Sequence, residues 1–145
     1  MRQVKPLGLF GKMARQSRFS EDAEAIKALS GHIAAHERAR IAQYLRAAPV
    51  IIALTGYTED VIGGKFSVTG GSAIHSDGTY YWRRDTAEYV ETYGTQLPPE
   101  FMEHGTKKGW RTPSLTSEEI MEIDDFFMDL RRRQGSADGC RPGTT

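Results

Sequence analysis

The chain is 145 residues long, with 39% apolar and 26% charged residues. That is the length of one domain, able to bury a core without disulfides or metals. Nineteen basic residues balance nineteen acidic ones, which argues against a generic polyanion binder. The single cysteine, Cys140, excludes an internal disulfide and a cysteine zinc site and fits a reducing cytoplasm.

Residues 1–18 carry Arg2, Lys5, Lys12, Arg15 and Arg18 and no acid. The remainder is acidic, with fourteen basic residues against nineteen acids. The amino end lacks the apolar h-region of a signal peptide. Val50–Leu54, the longest apolar run, is far short of the roughly 20 residues that cross a bilayer. Residues 1–19 read as a basic arm, a first helix or a targeting segment, 20–135 as one α+β domain, and 136–145 as a disordered tail.

Ser20 suits a helix cap, with Glu21, Asp22 and Glu24 in the positive first turn. Ser30-Gly31 breaks or kinks that helix. A second helical stretch runs from about His32 to Ala47 on the stripe Ile33, Ile41, Tyr44 and Leu45, and Pro49 ends it. Val50–Leu54 reads as a short buried strand or a helical restart, and Lys65–Thr69 alternates and reads as a second strand bounded by glycine pairs. Asp77-Gly78 between two β-favouring runs predicts a type I′ hairpin over 72–84. Its second strand sets Tyr80 and Trp82 on one face and Thr79, Tyr81 and Arg83 on the other. One face packs on helices and the other is free for solvent or a partner.

Asp85 with Glu88 predicts a capped helix over 86–93, stopped by Gly94. Leu97-Pro98-Pro99-Glu100 starts a short helix that ends at Gly105. Lys107–Pro113 reads as a basic loop around Trp110. Thr116 and Glu119 form a second capping box. Ile120, Ile123, Phe127 and Leu130 follow at one-face spacing, Arg131–Arg133 close the helix, and Gly135 stops it. The fold class is α+β, with helices flanking a small antiparallel sheet or hairpin.

No motif specifies a reaction. His32 and His36 would share a helical face and Glu37 follows them, but glutamate does not come directly after the first histidine as in metalloproteases. Glu59-Asp60, Glu118-Glu119 and Asp124-Asp125 are adjacent acids of the solvated kind. No nucleophile-elbow pattern accompanies Ser76. Gly63-Gly64-Lys65 and Gly70-Gly71-Ser72 lack phosphate-loop spacing. No cofactor or metal is implied. Trp82-Arg83-Arg84 and Lys107–Arg111 interleave aromatics with bases, as nucleic-acid or protein interfaces do.

One resemblance bears on function. Tyr44-Leu45, Ala48-Pro49-Val50, Ser76–Trp82, Glu88-Tyr89-Val90, Tyr93-Gly94, Leu97–Phe101 and His104-Gly105 follow one another in order. This half of the chain, about 44–110, resembles small actinobacterial proteins similar to the immunity factor of the tuberculosis necrotizing toxin. It departs from them at Arg83-Arg84, where that group usually has proline. The resemblance implies a non-enzymatic, cytoplasmic protein that neutralises a cognate NAD-hydrolysing toxin by blocking its active site. Candidate contacts are Tyr57, Glu59, Asp60 and Lys65 on a glycine-flanked loop, and Tyr80, Trp82 and Arg83 on the hairpin. The alternatives are a small hydrolase pairing His75 or His104 with Glu59 or Asp60, and a nucleic-acid-associated regulator using the basic arm and the Lys107–Arg111 loop.

Overall fold

A computed structural model describes residues 1–7 and 26–139, with residues 134–139 as helix backbone alone. The order is β1 (Lys5–Pro6), α1 (Ala35–Ala47), β2 (Val50–Ile52), β3 (Thr58–Glu59), β4 (Ser67–Val68), β5 (Ile74–Ser76), β6 (Tyr80–Arg83), α2 (Thr86–Tyr93), α3 (Pro99–Lys107) and α4 (Ser117–Gly139). Four strands form one sheet in the order β1-β6-β5-β2, and β3 and β4 form a separate two-stranded ribbon. The fold is α+β, but the main sheet is mixed rather than antiparallel. β1 runs parallel to β6, pairing Lys5 with Tyr80 and Pro6 with Tyr81. The start of the basic segment is therefore an edge strand of the sheet. The predicted cap at Ser20 lies outside the described residues.

Both faces of the sheet are covered. On one face Tyr80 and Trp82 pack with Ile41, Tyr44, Leu45, Val90, Phe101 and Trp110 from α1, α2 and the end of α3. On the other, Ile74 and Tyr81 pack with Val4 and with Ile123 and Phe127 of α4. This corrects the expected free hairpin face. β6 lies between β1 and β5, and a strand buried on both faces reads as a continuous aromatic run rather than an alternating one.

The hairpin tip also lies one residue later than the sequence expectation, which moves the strand pairing by two residues. Ser76 pairs with Tyr81 and Asp77 N–H donates to the Tyr80 carbonyl (3.3 Å), so Gly78 and Thr79 form the tip. Gly78 takes φ +96°, and Asp77 is not left-handed as a type I′ turn requires. The Asp77 carboxylate turns inward and accepts the N–H groups of Thr79 (2.9 Å) and Tyr80 (2.8 Å).

Helix ends follow local chemistry more closely. Gly31, at φ +79°, separates the helical residues 26–28 from α1. Gly94 closes α2 in the left-handed region. Thr116 and Glu119 make the predicted capping box in both directions, each at 3.1 Å. Asp85, in contrast, places no side-chain cap on α2, because its carboxylate bonds Arg83 at 2.6 Å. Gly135 does not stop α4, which continues to Gly139, so residues 136–139 are helical rather than part of a disordered tail.

Gly105 is inside α3, not at its end. A Cβ there would lie 2.2 Å from the Trp110 ring, so glycine is what lets the indole lie against the helix. The helix closes one turn later. Gly109 N–H donates to Thr106 and Trp110 N–H to Gly105, with Gly109 at φ +62°. This is a Schellman closure. It carries Trp110 into the core against Tyr44, with ring centroids 5.4 Å apart. The predicted basic loop is thus a helix cap whose tryptophan points inward.

Candidate functional site

The β3–β4 ribbon connects β2 to β5. Thr58 pairs with Val68 and Glu59 with Ser67. Side chains alternate along a strand, so Thr58, Asp60, Phe66 and Val68 share one face and Tyr57, Glu59, Lys65 and Ser67 the other. The inner face is firmly held. Asp60 is buried and its carboxylate accepts the N–H groups of Ile62 (2.8 Å), Gly63 (3.3 Å) and Lys65 (2.8 Å). The Tyr93 hydroxyl donates to the same carboxylate. The Phe66 ring meets Tyr89 edge-on at 4.8 Å, and the Tyr89 hydroxyl accepts the Val61 N–H at 3.0 Å.

These contacts set the electrostatics beneath the ribbon. Burial by itself would raise the Asp60 carboxyl, but the Tyr93 hydroxyl and three backbone N–H groups hold it below the ordinary carboxylate range. The Tyr93 phenol is pushed up to about 12 by desolvation and by the Asp60 charge. The Tyr89 phenol is also pushed up to about 12, chiefly by burial. Asp60 is therefore ionised and both tyrosines are neutral donors at physiological pH.

The outer face is open. Tyr57, Glu59, Gly64, Lys65, Phe66 and Ser67 line a groove of about 330 Å³. Tyr57 is 61% exposed, and the Lys65 ammonium lies 5.1 Å from the Tyr93 ring centre. Of the first predicted set, the structure brings Tyr57, Glu59 and Lys65 to one surface. Asp60 belongs to the anchor beneath it.

The second predicted set does not reach the surface. Tyr80, Trp82 and Arg83 are 7%, 3% and 9% exposed. The Trp82 indole N–H donates to the Leu45 carbonyl at 3.1 Å. Arg83 pairs with buried Asp85 at 2.6 Å. Burial raises the Asp85 carboxyl to about 6, against the opposing effects of Arg83 and the Thr58 hydroxyl. These three side chains are structural, because a central strand has no free face.

The histidines do not form the hydrolase pairs suggested by the sequence. His75 is buried, with Nδ1 2.8 Å from the Ala48 carbonyl, while Arg84 Nε donates to Nε2 at 3.2 Å. That arrangement fixes the neutral tautomer with its proton on Nδ1. Burial and the Arg84 charge lower its pKa, although the Ala48 carbonyl opposes them. His104 Nε2 lies 2.9 Å from Asp77 Oδ2, the oxygen that also accepts the Tyr44 hydroxyl at 2.5 Å. With the two backbone donors at Oδ1, Asp77 has four hydrogen bonds and ties the hairpin to α1 and α3. No three His, Cys, Asp or Glu side chains among the described residues are grouped as a metal site. No helix among them is long and apolar enough to cross a membrane.

Sequence reasoning missed Phe66, Ser67 and Gly64 as groove residues and Tyr89 and Tyr93 as the ribbon's anchors. The alternation over Lys65–Thr69 was the available signal for the first group. The aromatic pair on α2 has no local signature, because its partner segment is about thirty residues away. Comparisons with family models, with curated proteins and with solved structures find no match.

Proposed function

We propose that this chain is a non-enzymatic, cytoplasmic binding protein that neutralises a cognate NAD-hydrolysing toxin by seating the β3–β4 ribbon in the toxin's active site. The observation that carries this reading is the division of labour across the ribbon. Its inner face is fastened by a buried carboxylate and two tyrosines, and its outer face presents Tyr57, Glu59 and Lys65 around one groove. A pre-ordered ribbon with an exposed aromatic and both signs of charge suits contact with a partner's active-site cleft. Neither His75, held by the Ala48 carbonyl and Arg84, nor His104, held by Asp77, pairs with Glu59 or Asp60, which favours this reading over the hydrolase alternative.

The test is co-expression with a toxin of this type encoded beside the gene. The wild-type chain protects the cells and binds the toxin in a one-to-one complex. A Tyr57→Ala, Lys65→Glu variant folds normally and binds at least about thirtyfold more weakly, the loss of one anchor worth ~2 kcal/mol. Absence of protection by the wild type, or full protection by the variant, contradicts the proposal.

A further inference from the structure

Asp85 lies at the root of the ribbon, between β6 and α2, and is 1% exposed. Its main chain and its side chain both reach the ribbon. The Asp85 N–H donates to the Gly71 carbonyl (3.2 Å), just beyond β4. Its carboxylate meets the Thr58 hydroxyl of β3, and Asp85 Oδ1 and Thr58 Oγ1 are both cut off from solvent. Thr58 in turn lies hard against Gly71, where a Cβ would come within 1.8 Å of the hydroxyl. Thr58 and Gly71 thus close over Asp85 from the ribbon side. The ribbon joins the main sheet through residues 53–57 and 69–73, which belong to no strand, and Gly70 turns at φ +71°.

We propose that this root is a pH-sensitive latch, in which the ribbon closes more tightly when Asp85 is neutral and loosens when its carboxylate is charged. The reason is solvation. A charged carboxylate beneath the closed ribbon has lost its water, and the Arg83 guanidinium at 2.6 Å replaces that water only in part. Lifting Thr58 and Gly71 returns water to it. The charged form therefore favours the open ribbon and the neutral form the closed one.

The balance of forces has the same sense. Burial outweighs Arg83 and Thr58 and brings the Asp85 carboxyl up to about 6, against about 3.9 for a hydrated aspartate. The closed ribbon therefore binds the proton more tightly than the open one. Closure gains as pH falls through about 6, by about tenfold between pH 7.5 and 5. The other groups facing the latch keep their charge over that range. Arg83 faces Asp85 from β6 as a guanidinium. Tyr89 of α2 is a neutral phenol up to about 12, and Asp60 is ionised, held below its ordinary range. Glu88 pairs with Arg46 at 2.7 Å, and Arg84 donates to His75. For toxin binding the latch rests on the proposed function, since only a closed ribbon is ordered for contact, but it is read in the free protein and so fails or stands separately.

Amide exchange of the free, full chain from pH 5 to 7.5, expressed as protection factors, tests this, with the Asp85 carboxyl carbon followed by NMR. The reporters are the Asp85 and Val61 N–H groups, which bond across the root and the ribbon's inner face to the Gly71 carbonyl and the Tyr89 hydroxyl. Their protection should rise about tenfold from pH 7.5 to 5, with the midpoint of the Asp85 titration. Asp85→Asn should make it independent of pH. His75→Gln, which removes the buried imidazole of lowered pKa, should leave the dependence in place. The wild-type curves carry the test even if Asp85→Asn does not fold. An Asp85 carboxyl that titrates near its ordinary value, ribbon protection that is flat with pH, or a dependence lost in His75→Gln overturns the proposal. So does ribbon protection equal to that of β5 and β6, which means that the ribbon opens only with the whole domain.

Discussion

Replacing Asp60 by alanine should release the ribbon while leaving the core intact. In the native protein one carboxylate oxygen accepts the Ile62 and Gly63 N–H groups, and the other accepts the Lys65 N–H and the Tyr93 hydroxyl. Hydrogen bonds to a charged group contribute about 1.5–3 kcal/mol each when fully buried. The tip residues are half-buried or exposed, so water recovers much of that on loss of the acceptor, and about 1 kcal/mol for each of the three shorter bonds is the appropriate scale. The expected cost is about 3 kcal/mol, equivalent to roughly 10 °C in Tm for a domain of this size. Asp60→Asn rescues only part of it, because one carboxylate oxygen becomes an NH2 group facing donors. The sensitive assay is amide hydrogen exchange at Ile62, Gly63 and Lys65, which lose their acceptor and should exchange at least about two orders of magnitude faster. Unchanged exchange at these amides, with Tm within about 1 °C of wild type, refutes the assignment of Asp60 as the anchor.

Three further outcomes follow from particular contacts. A Cβ on Gly71 would lie 1.8 Å from Thr58 Oγ1, so Gly71→Ala should destabilise by about 3 kcal/mol through overpacking, with partial recovery in the double variant with Thr58→Ala, as read by thermal unfolding. Thr116→Ala removes the oxygen that accepts the Glu119 N–H and should cost about 1 kcal/mol, seen as a lower urea midpoint. His75 has a lowered pKa in the fold, so the unfolded chain takes up its proton first, near the ordinary value of about 6.5. Its contribution is complete above that value and is lost as pH falls towards the folded pKa. Asp85 acts in the opposite sense, because its raised pKa relieves a cost as pH drops through about 6. His75→Gln should therefore lose less stability than wild type between pH 7.5 and 5.5 in denaturant titrations, and equal losses would contradict the buried neutral imidazole.

What could be read from the sequence was what is decided within a few residues. The Thr116–Glu119 box, the Gly94 stop and the helix break at Gly31 are local contests between a side chain and its own backbone, and each appears as predicted. The hairpin was placed correctly, but its tip was not. Asp77 answers to Tyr44 and His104, which lie 33 and 27 residues away, rather than to the turn preference of an Asp-Gly pair. The roles of Tyr80, Trp82 and Arg83 were misjudged for a related reason. Alternation separates the faces of a strand, but it cannot show that both are covered, and coverage here comes from the pairing of residues 5–6 with β6 and from α4. The segment around Trp110 read as a basic loop, whereas the bare face of Gly105 lets the indole pack inward and the loop is a helix closure. The groove residues Tyr57, Glu59 and Lys65 were legible as a group because flanking glycines marked a loop, and loops run over the surface. Its tether to Tyr89 and Tyr93 was not, since only the tertiary fold brings α2 beneath it.

The central claim is that binding takes place through the outer face of β3 and β4, and hydrogen exchange of the toxin complex against the free protein tests it most directly. Protection gained on binding should concentrate in residues 57–67, with the strongest gain around Tyr57 and Lys65. A footprint that spares this segment, or a complex that forms equally well with Tyr57→Ala and Lys65→Glu combined, would contradict it.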